Sequence, residues 1–302
     1  MNGIRLDKET TRKLVVTMAP QYAEMLRDLQ SQARWAKLLR KYEGIFRGAA
    51  LDSYVGLFDD ERRIGTALWL FLLGEEGHKE LNAEIAAMST DEQQTWMDEQ
   101  IREAGEDDSW SWMEGMFPDT PEAEEASRLA YEELSDEDRT EATKRAVFFW
   151  IFFFASFHNY LSLMLHGRKL TVLVAQAKAG DEGAFCKAIH IEPRLLRHHP
   201  FFLERHLQAQ ENSETDFLKR IGYRLANSAL NGQIRYPGLY MVFAMLDASG
   251  WLDGGFTHEQ ILDMCDEASL DRYQNRIEDA NYLTQRLREY RQWQKTGSLS
   301  ML

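Results

Sequence analysis

Between Ala146 and Leu165 the chain runs for twenty residues without one charged side chain, flanked by Lys144-Arg145 and Arg168-Lys169. A helix that long and that apolar fits one of two places, a membrane or the middle of a larger helical body. The stretch Val147 to Phe157 is nearly all Phe, Ile and Trp, whereas Ser156, His158, Asn159 and Ser162 interrupt the apolar run from position 156 onward. Polar groups at that density suit a protein interior, where partners can be supplied, better than lipid. The segment 146–165 is therefore read as a buried central helix, with contact to a lipid or another apolar ligand as the alternative.

The rest of the chain can supply the cover. Its 302 residues are 44% hydrophobic and 28% charged, ordinary for a folded protein and enough for a large core. The alternation of Val, Ile and Thr that marks strands is scarce, and helix punctuation recurs. Pro20 reads as a first-turn residue of a helix running to about Arg47 and ended by Gly48. The stretch Ala67 to Leu73 should stop at Gly74. Ser89 with Glu92 forms a capping box, Thr120-Pro121 opens a helix, and Ser135 caps another. Asp181 begins a short helix containing Phe185 and Cys186, and Pro193 and Pro200 bracket a short basic one. Phe217 to Leu225, Pro237 to about Gly250, and Glu278 to Gln294 complete the series, with a second capping box at Thr257 and Gln260. The expected fold is all-α: a multi-helix bundle (1–179) around the Phe-rich helix, and a smaller C-terminal helical module (180–302) that can pack with it as one body.

Cys186 and Cys265, the two cysteines, make neither a disulfide framework nor a cysteine-rich zinc site, and Met1 to Glu9 lacks the apolar core of a signal peptide. Both features point to the cytoplasm. The net charge of −14 is local: residues 91–139 hold eighteen acids and three arginines, a net of −15, while the remainder holds 31 acids and 32 bases. Bulk charge gives a nucleic-acid partner no support.

Within the acidic segment, Glu106, Asp107 and Asp108 lie beside Trp110 and Trp112, with Trp96 upstream. Aromatic anchors give affinity and surrounding charge steers encounter, so these residues are the candidate contact surface for a protein with a basic face. A second cluster, 190–206, groups His190, His198, His199 and His206 with Arg194, Arg197 and Arg205. Arg194, Arg197, His198, His199 and His206 are candidates for an anionic ligand, but no pair has the His-x3-His spacing that sets two zinc ligands on one helix face. Arg194 and His199 share the Arg-x4-His spacing of helical ribonuclease domains. Those domains put a polar residue after the Arg, where this chain has Leu195. Glu75 and His78 have the Glu-x-x-His spacing of di-iron bundles without the second half of the ligand set, and Gly77 suggests a helix ending there.

The stretch 258–277 has a helix-turn-helix pattern, in which Arg272, Gln274, Asn275 and Arg276 could reach base edges. Asp263, Asp266, Glu267, Asp271, Glu278 and Asp279 would repel phosphates, and a plain αα-corner has the same pattern. Phosphate loops, nucleophile elbows and zinc-protease motifs are absent from the sequence. No residue is assigned a catalytic or metal-binding role and no cofactor is expected. The leading expectation is a non-enzymatic interaction or adaptor protein of a larger, bacterial, multi-protein system. Alternatives are an apolar-ligand or lipid binder using 146–165, a DNA-associated regulator using 258–277, and a nuclease or hydrolase centred on 190–206.

Overall fold

The computed structural model describes residues 7–89, 91–92, 95–96, 120–227, 234–270 and 276–297, all helix or connecting turn among those described. The first helix, α1 (Lys8–Leu29), starts where Asp7 accepts the N–H groups of Glu9 and Thr10 at 2.8 and 3.0 Å. Thr11, Val15, Met18, Tyr22 and Leu26 then fall at intervals of three and four and are all buried. Pro20 sits inside this helix, so the helix predicted to begin there in fact begins twelve residues earlier. Proline costs an interior helix one hydrogen bond, and the continuous buried stripe on both sides of it offsets that loss. Two shorter helices follow, α2 (Gln32–Lys41), capped by Ser31, and α3 (Gly48–Gly56), so that Gly48 opens a helix rather than ending one.

A 3-10 turn (Leu57–Asp59) buries Phe58 and leads to α4 (Glu61–Ala87). Gly74 does interrupt α4, at φ 71° and ψ −179°, a conformation that an L side chain rarely adopts. The chain resumes helix beyond this kink and continues through Gly77 to Ala87. The Ser89–Glu92 capping box forms in both directions.

Next come α5 (Pro121–Glu133), with Thr120 as its cap, and α6 (Asp136–His166), capped by Ser135 and closed by Gly167 at φ 64°. The predicted apolar segment is the inner half of α6. This is the one helix among the described residues long and apolar enough to cross a membrane, and 72% of its apolar window is buried inside the protein. Its rings are covered by the N-terminal helices: Phe153 stacks on Tyr22 at 4.7 Å, Phe154 meets Phe46 at 5.0 Å, and Phe157 meets Trp35 at 6.1 Å. The polar interruptions are used as well. Asn159 Oδ1 accepts the Thr171 N–H at 3.2 Å, and the Ser162 hydroxyl donates to the Arg168 carbonyl at 2.8 Å.

The helices after α6 are α7 (Leu170–Lys178), α8 (Glu182–Ile191), the one-turn α9 (Leu195–His198), α10 (Pro200–Glu211), α11 (Thr215–Ala226), α12 (Pro237–Ala248), α13 (His258–Glu267) and α14 (Arg276–Thr296). Asp181 and the Thr257–Gln260 box cap α8 and α13 as predicted. Pro237 to Leu246 of α12 is buried throughout, and α12 lies along α1 and across α6. Gly238 permits this packing, since a Cβ there would meet the Leu270 side chain at 2.9 Å.

Asp247 on α12 accepts from Tyr290, Arg291 and Gln294 of α14 at 2.8 to 2.9 Å, and Gln294 also donates to the Leu163 carbonyl of α6. One contiguous buried cluster runs from Val15 to Trp293, drawing on residues before and after position 180.

Burial ends abruptly on one side. Most of α4 beyond Gly74 is exposed, the first turns of α6 are exposed, and α5 contains no buried residue. Together they make a limb set outside the core, tied by Tyr131 to Thr143 at 2.8 Å and by Arg139 to the carbonyls of Glu132 and Leu134 at 3.0 Å.

Candidate functional site

The His/Arg cluster does not form one surface. Pro193 and Pro200 set off α9, so residues 192–199 wrap against α3 and α6 and their side chains separate. Glu192 is 0% exposed and sits between three partners. The Tyr54 hydroxyl donates to its Oε2 at 2.8 Å, the Arg194 Nε donates to its Oε1 at 2.8 Å, and the Arg194 backbone N–H reaches the same Oε1 at 3.0 Å.

The Tyr54 proton is therefore committed to Glu192, and toward His158 the same oxygen accepts. Phe154's carbonyl can only accept, so His158 Nδ1–H serves both, at 2.9 and 2.7 Å. Burial pushes the His158 imidazole below its ordinary pKa even though Glu192 pulls the other way. A neutral ring protonated on Nδ1 leaves Nε2 as a lone pair, 3.4 Å from Glu192 Oε2 and unbonded to it.

Burial alone would raise the Glu192 carboxyl. The Arg194 guanidinium, with help from the Arg194 N–H and Tyr54 O–H donors, more than reverses this and keeps it ionised. Arg194 is thus the counter-ion, and its guanidinium lies 3.9 Å from the centre of the Phe46 ring.

His199 goes elsewhere. It is buried, and its Nε2 donates to Asp59 Oδ1 at 2.8 Å, while Lys178 donates to the same oxygen at 2.8 Å. Burial would raise the Asp59 carboxyl, and these two donors hold it below the usual range. Arg194 and His199, the residues in Arg-x4-His spacing, are accordingly engaged with different carboxylates on different neighbours. Arg197 and His198 are exposed, and His206 is half-buried with Gln210 at 3.4 Å.

His190 is buried with its ring centre 6.4 Å from that of His166. Among the described residues no group of three His, Cys, Asp or Glu side chains converges as a metal would require.

Two concavities adjoin this region. A groove of about 420 Å³, open to solvent, is lined by Asp59, Asp60, Glu61, Thr171, Val172 and Gln176. Its acids are already paired, with Lys178, Arg62 and Lys169 respectively. A smaller pocket of about 100 Å³ lies among Phe185, Phe201, Phe217 and Arg205, and Glu214 holds Arg205 at 2.6 Å. Neither offers a free nucleophile or base.

The other candidate surface is the limb. Trp96 is half-buried; Glu106, Asp107, Asp108, Trp110 and Trp112 lie outside the described residues. The described part of the acidic segment lies on α5 and the first turn of α6, with Asp91 and Glu92 upstream. Ala123, Ala126, Leu129, Ala130 and Leu134 follow helical spacing along one side of α5, all exposed, with Leu129 at 47% and Leu134 at 36%. Glu122 and Glu133 fall between Leu129 and Ala126 on that side, and Glu125 and Glu132 border it beside Leu129. Arg128 takes up Glu125 and Glu132, and Glu122 and Glu133 enter no ion pair among the described residues.

In the 258–277 unit, α13 ends in a turn at Ala268 and Ser269, the latter at φ 51°. Arg272, Gln274 and Asn275 lie outside the described residues, and Arg276 is described in backbone only, as the first residue of α14.

Sequence reasoning missed the partners rather than the cluster. Glu192 was visible as an acid among bases, but Tyr54 and Asp59 carried no local signal. They stand 138 and 140 residues from the groups they bond. Compared with known proteins, the chain matches no family model, no curated sequence and no solved structure.

Proposed function

We propose that this is a non-enzymatic interaction protein of the cytoplasm, in which a rigid helical body presents the acidic limb to a protein with a basic surface. One observation carries the reading: α5 carries a stripe of Ala and Leu, and none of its residues is buried. A thirteen-residue helix is marginal by itself in water, and its stability ordinarily comes from packing that stripe. A sequence that keeps Leu129, Ala130 and Leu134 in register without burying them suits a surface completed by a partner. The glutamates within and beside it set the sign of that partner.

The aromatic rings of α6 are already stacked on α1–α3, which favours a core role over ligand binding. The buried contacts of Arg194 and His199 favour a structural role over catalysis.

A labelled lysine-rich amphipathic peptide tests the reading by fluorescence anisotropy. Wild-type protein should bind it, and E122S/E125S/E132S/E133S should bind it about tenfold more weakly at low salt. The gap should close near 0.5 M salt, where the screening length has shrunk to about 4 Å. Equal affinity of the two proteins at every salt concentration would remove the limb as the contact surface.

A further inference from the structure

The chain also carries a surface that α5 would fit. On α2, Ala33, Ala36, Lys37, Arg40 and Lys41 are exposed, and the helix contains no acid. At 100° per residue, Ala33, Ala36 and Arg40 share one outward face, while Lys37, Lys41 and Arg34 lie along one edge of it. Arg34 is held by Asp28 at 2.7 Å, whereas Lys37 and Lys41 enter no ion pair among the described residues.

The inward side is occupied, with Trp35 and Leu38 packed on the core. The outward side is therefore a face of Ala33, Ala36 and Arg40 bordered by lysines. On α5 the corresponding face is Ala- and Leu-lined with glutamates within and beside it. Both faces are exposed in the single chain, so they do not cover one another.

We propose that the occupant of the limb is a second copy of this chain, with α5 of one protomer packed against the outward face of α2 in its partner. This rests on reading the limb as a contact surface. Three features support it.

The two helices match in length, about 20 Å for α5 and about 15 Å for α2 at 1.5 Å per residue. Ala33 and Ala36 let a second helix approach closely on either side of Arg40, and Leu129 supplies bulk opposite them. The charges on the two faces are opposite in sign, Arg40, Lys37 and Lys41 on one and Glu122, Glu125 and Glu133 on the other, so the pairing is electrostatically complementary.

A twofold arrangement uses both ends at once. Each protomer gives its α5 and receives its partner's, so every contact is made twice across the axis.

Sedimentation velocity on the full chain and two charge-reversed variants decides the matter. K37E/R40E/K41E alters only the α2 face, and E122K/E125K/E133K only the α5 face. All six positions are exposed, so the circular dichroism of both variants should match wild type. Wild type should sediment as a dimer at about 50 mM salt and shift toward monomer by about 1 M, where screening acts over roughly 3 Å. Each variant alone should be monomeric, with dimerisation weakened more than tenfold. Mixed one to one, they should re-form a dimer, since each reversed face then meets its complement.

A monomeric wild type at low salt, a dimer that both variants retain, or a mixture that stays monomeric would each overturn the inference. A monomeric wild type that binds duplex DNA or anionic vesicles through α2 overturns it as well and names the other occupant. A monomeric wild type that still captures the lysine-rich peptide overturns this inference alone and leaves the proposed function standing.

Discussion

Arg194 is the counter-ion of a carboxylate that has no access to water, and that makes it costly to remove. Arg194→Ala leaves Glu192 buried beside a neutral imidazole and a phenol, and breaking such a pair typically costs about 3–5 kcal/mol. Urea denaturation should show that loss as a lower midpoint. Glu192→Gln with Arg194→Met removes both charges and should recover most of it; a double variant as unstable as Arg194→Ala would mean that the charge is not what matters.

His166 makes a different prediction. Burial, reinforced by Lys187, His190 and Arg224, pushes it down to about 3 from its ordinary 6.5. The unfolded chain therefore binds a proton below pH 6.5 that the folded chain refuses. Stability associated with this group is intact above pH 6.5 and falls by up to about 1.4 kcal/mol per pH unit from there down to about pH 3. His166→Gln should flatten the stability profile across that window, and an unchanged slope from pH 6 to 4 would show that the ring is not the group being titrated.

The helices differ from one another chiefly in what covers them. The inner half of α6 is enclosed by α3, α4, α7, α8, α12 and α14, whereas α5 has no buried residue. Amide exchange should follow that contrast. Phe149 to Leu165 should exchange only with global unfolding, and residues 122–133 through local opening that costs little free energy. Protection of α5 equal to that of α6 would mean that its stripe is covered in solution, by a partner copy or otherwise. Gly74 separates the two regimes within α4, because its φ of 71° kinks the helix where burial gives way to exposure.

The molecule as a whole is closed by its ends. α1 is covered by α12, and α14 is fastened to α12 through Asp247 and to α6 through Gln294, so the N-terminal helices depend on segments more than two hundred residues away. A fragment of residues 1–179 would expose Val15, Met18 and the α6 surface that α12 and α14 cover. It should melt without a cooperative transition and bind a hydrophobic dye, as partly packed states do. A sharp two-state melt of the fragment would show instead that residues 1–179 form a domain that folds without the C-terminal helices.

Which stretches became helix, and where most of them begin, was written locally. Thr120, Ser135, Asp181 and Thr257 cap because a side chain two or three residues from an orphan N–H can reach it whatever the rest of the chain does. The burial of 146–165 was legible for a related reason, since twenty uncharged residues with polar interruptions leave few other places to go. The N-terminal helices were misread where tertiary packing outweighed a local rule, as at Pro20, whose lost hydrogen bond is outweighed by a stripe buried against α12 and α6. The polar core was hidden more completely. Nothing near Tyr54 or Asp59 in sequence indicates that each will meet a residue some 140 positions away, because hydrogen bonds across the interior are fixed only when helices have chosen their neighbours. Whether a helix with an apolar stripe is covered is decided at that same stage, and tertiary structure left α5 bare.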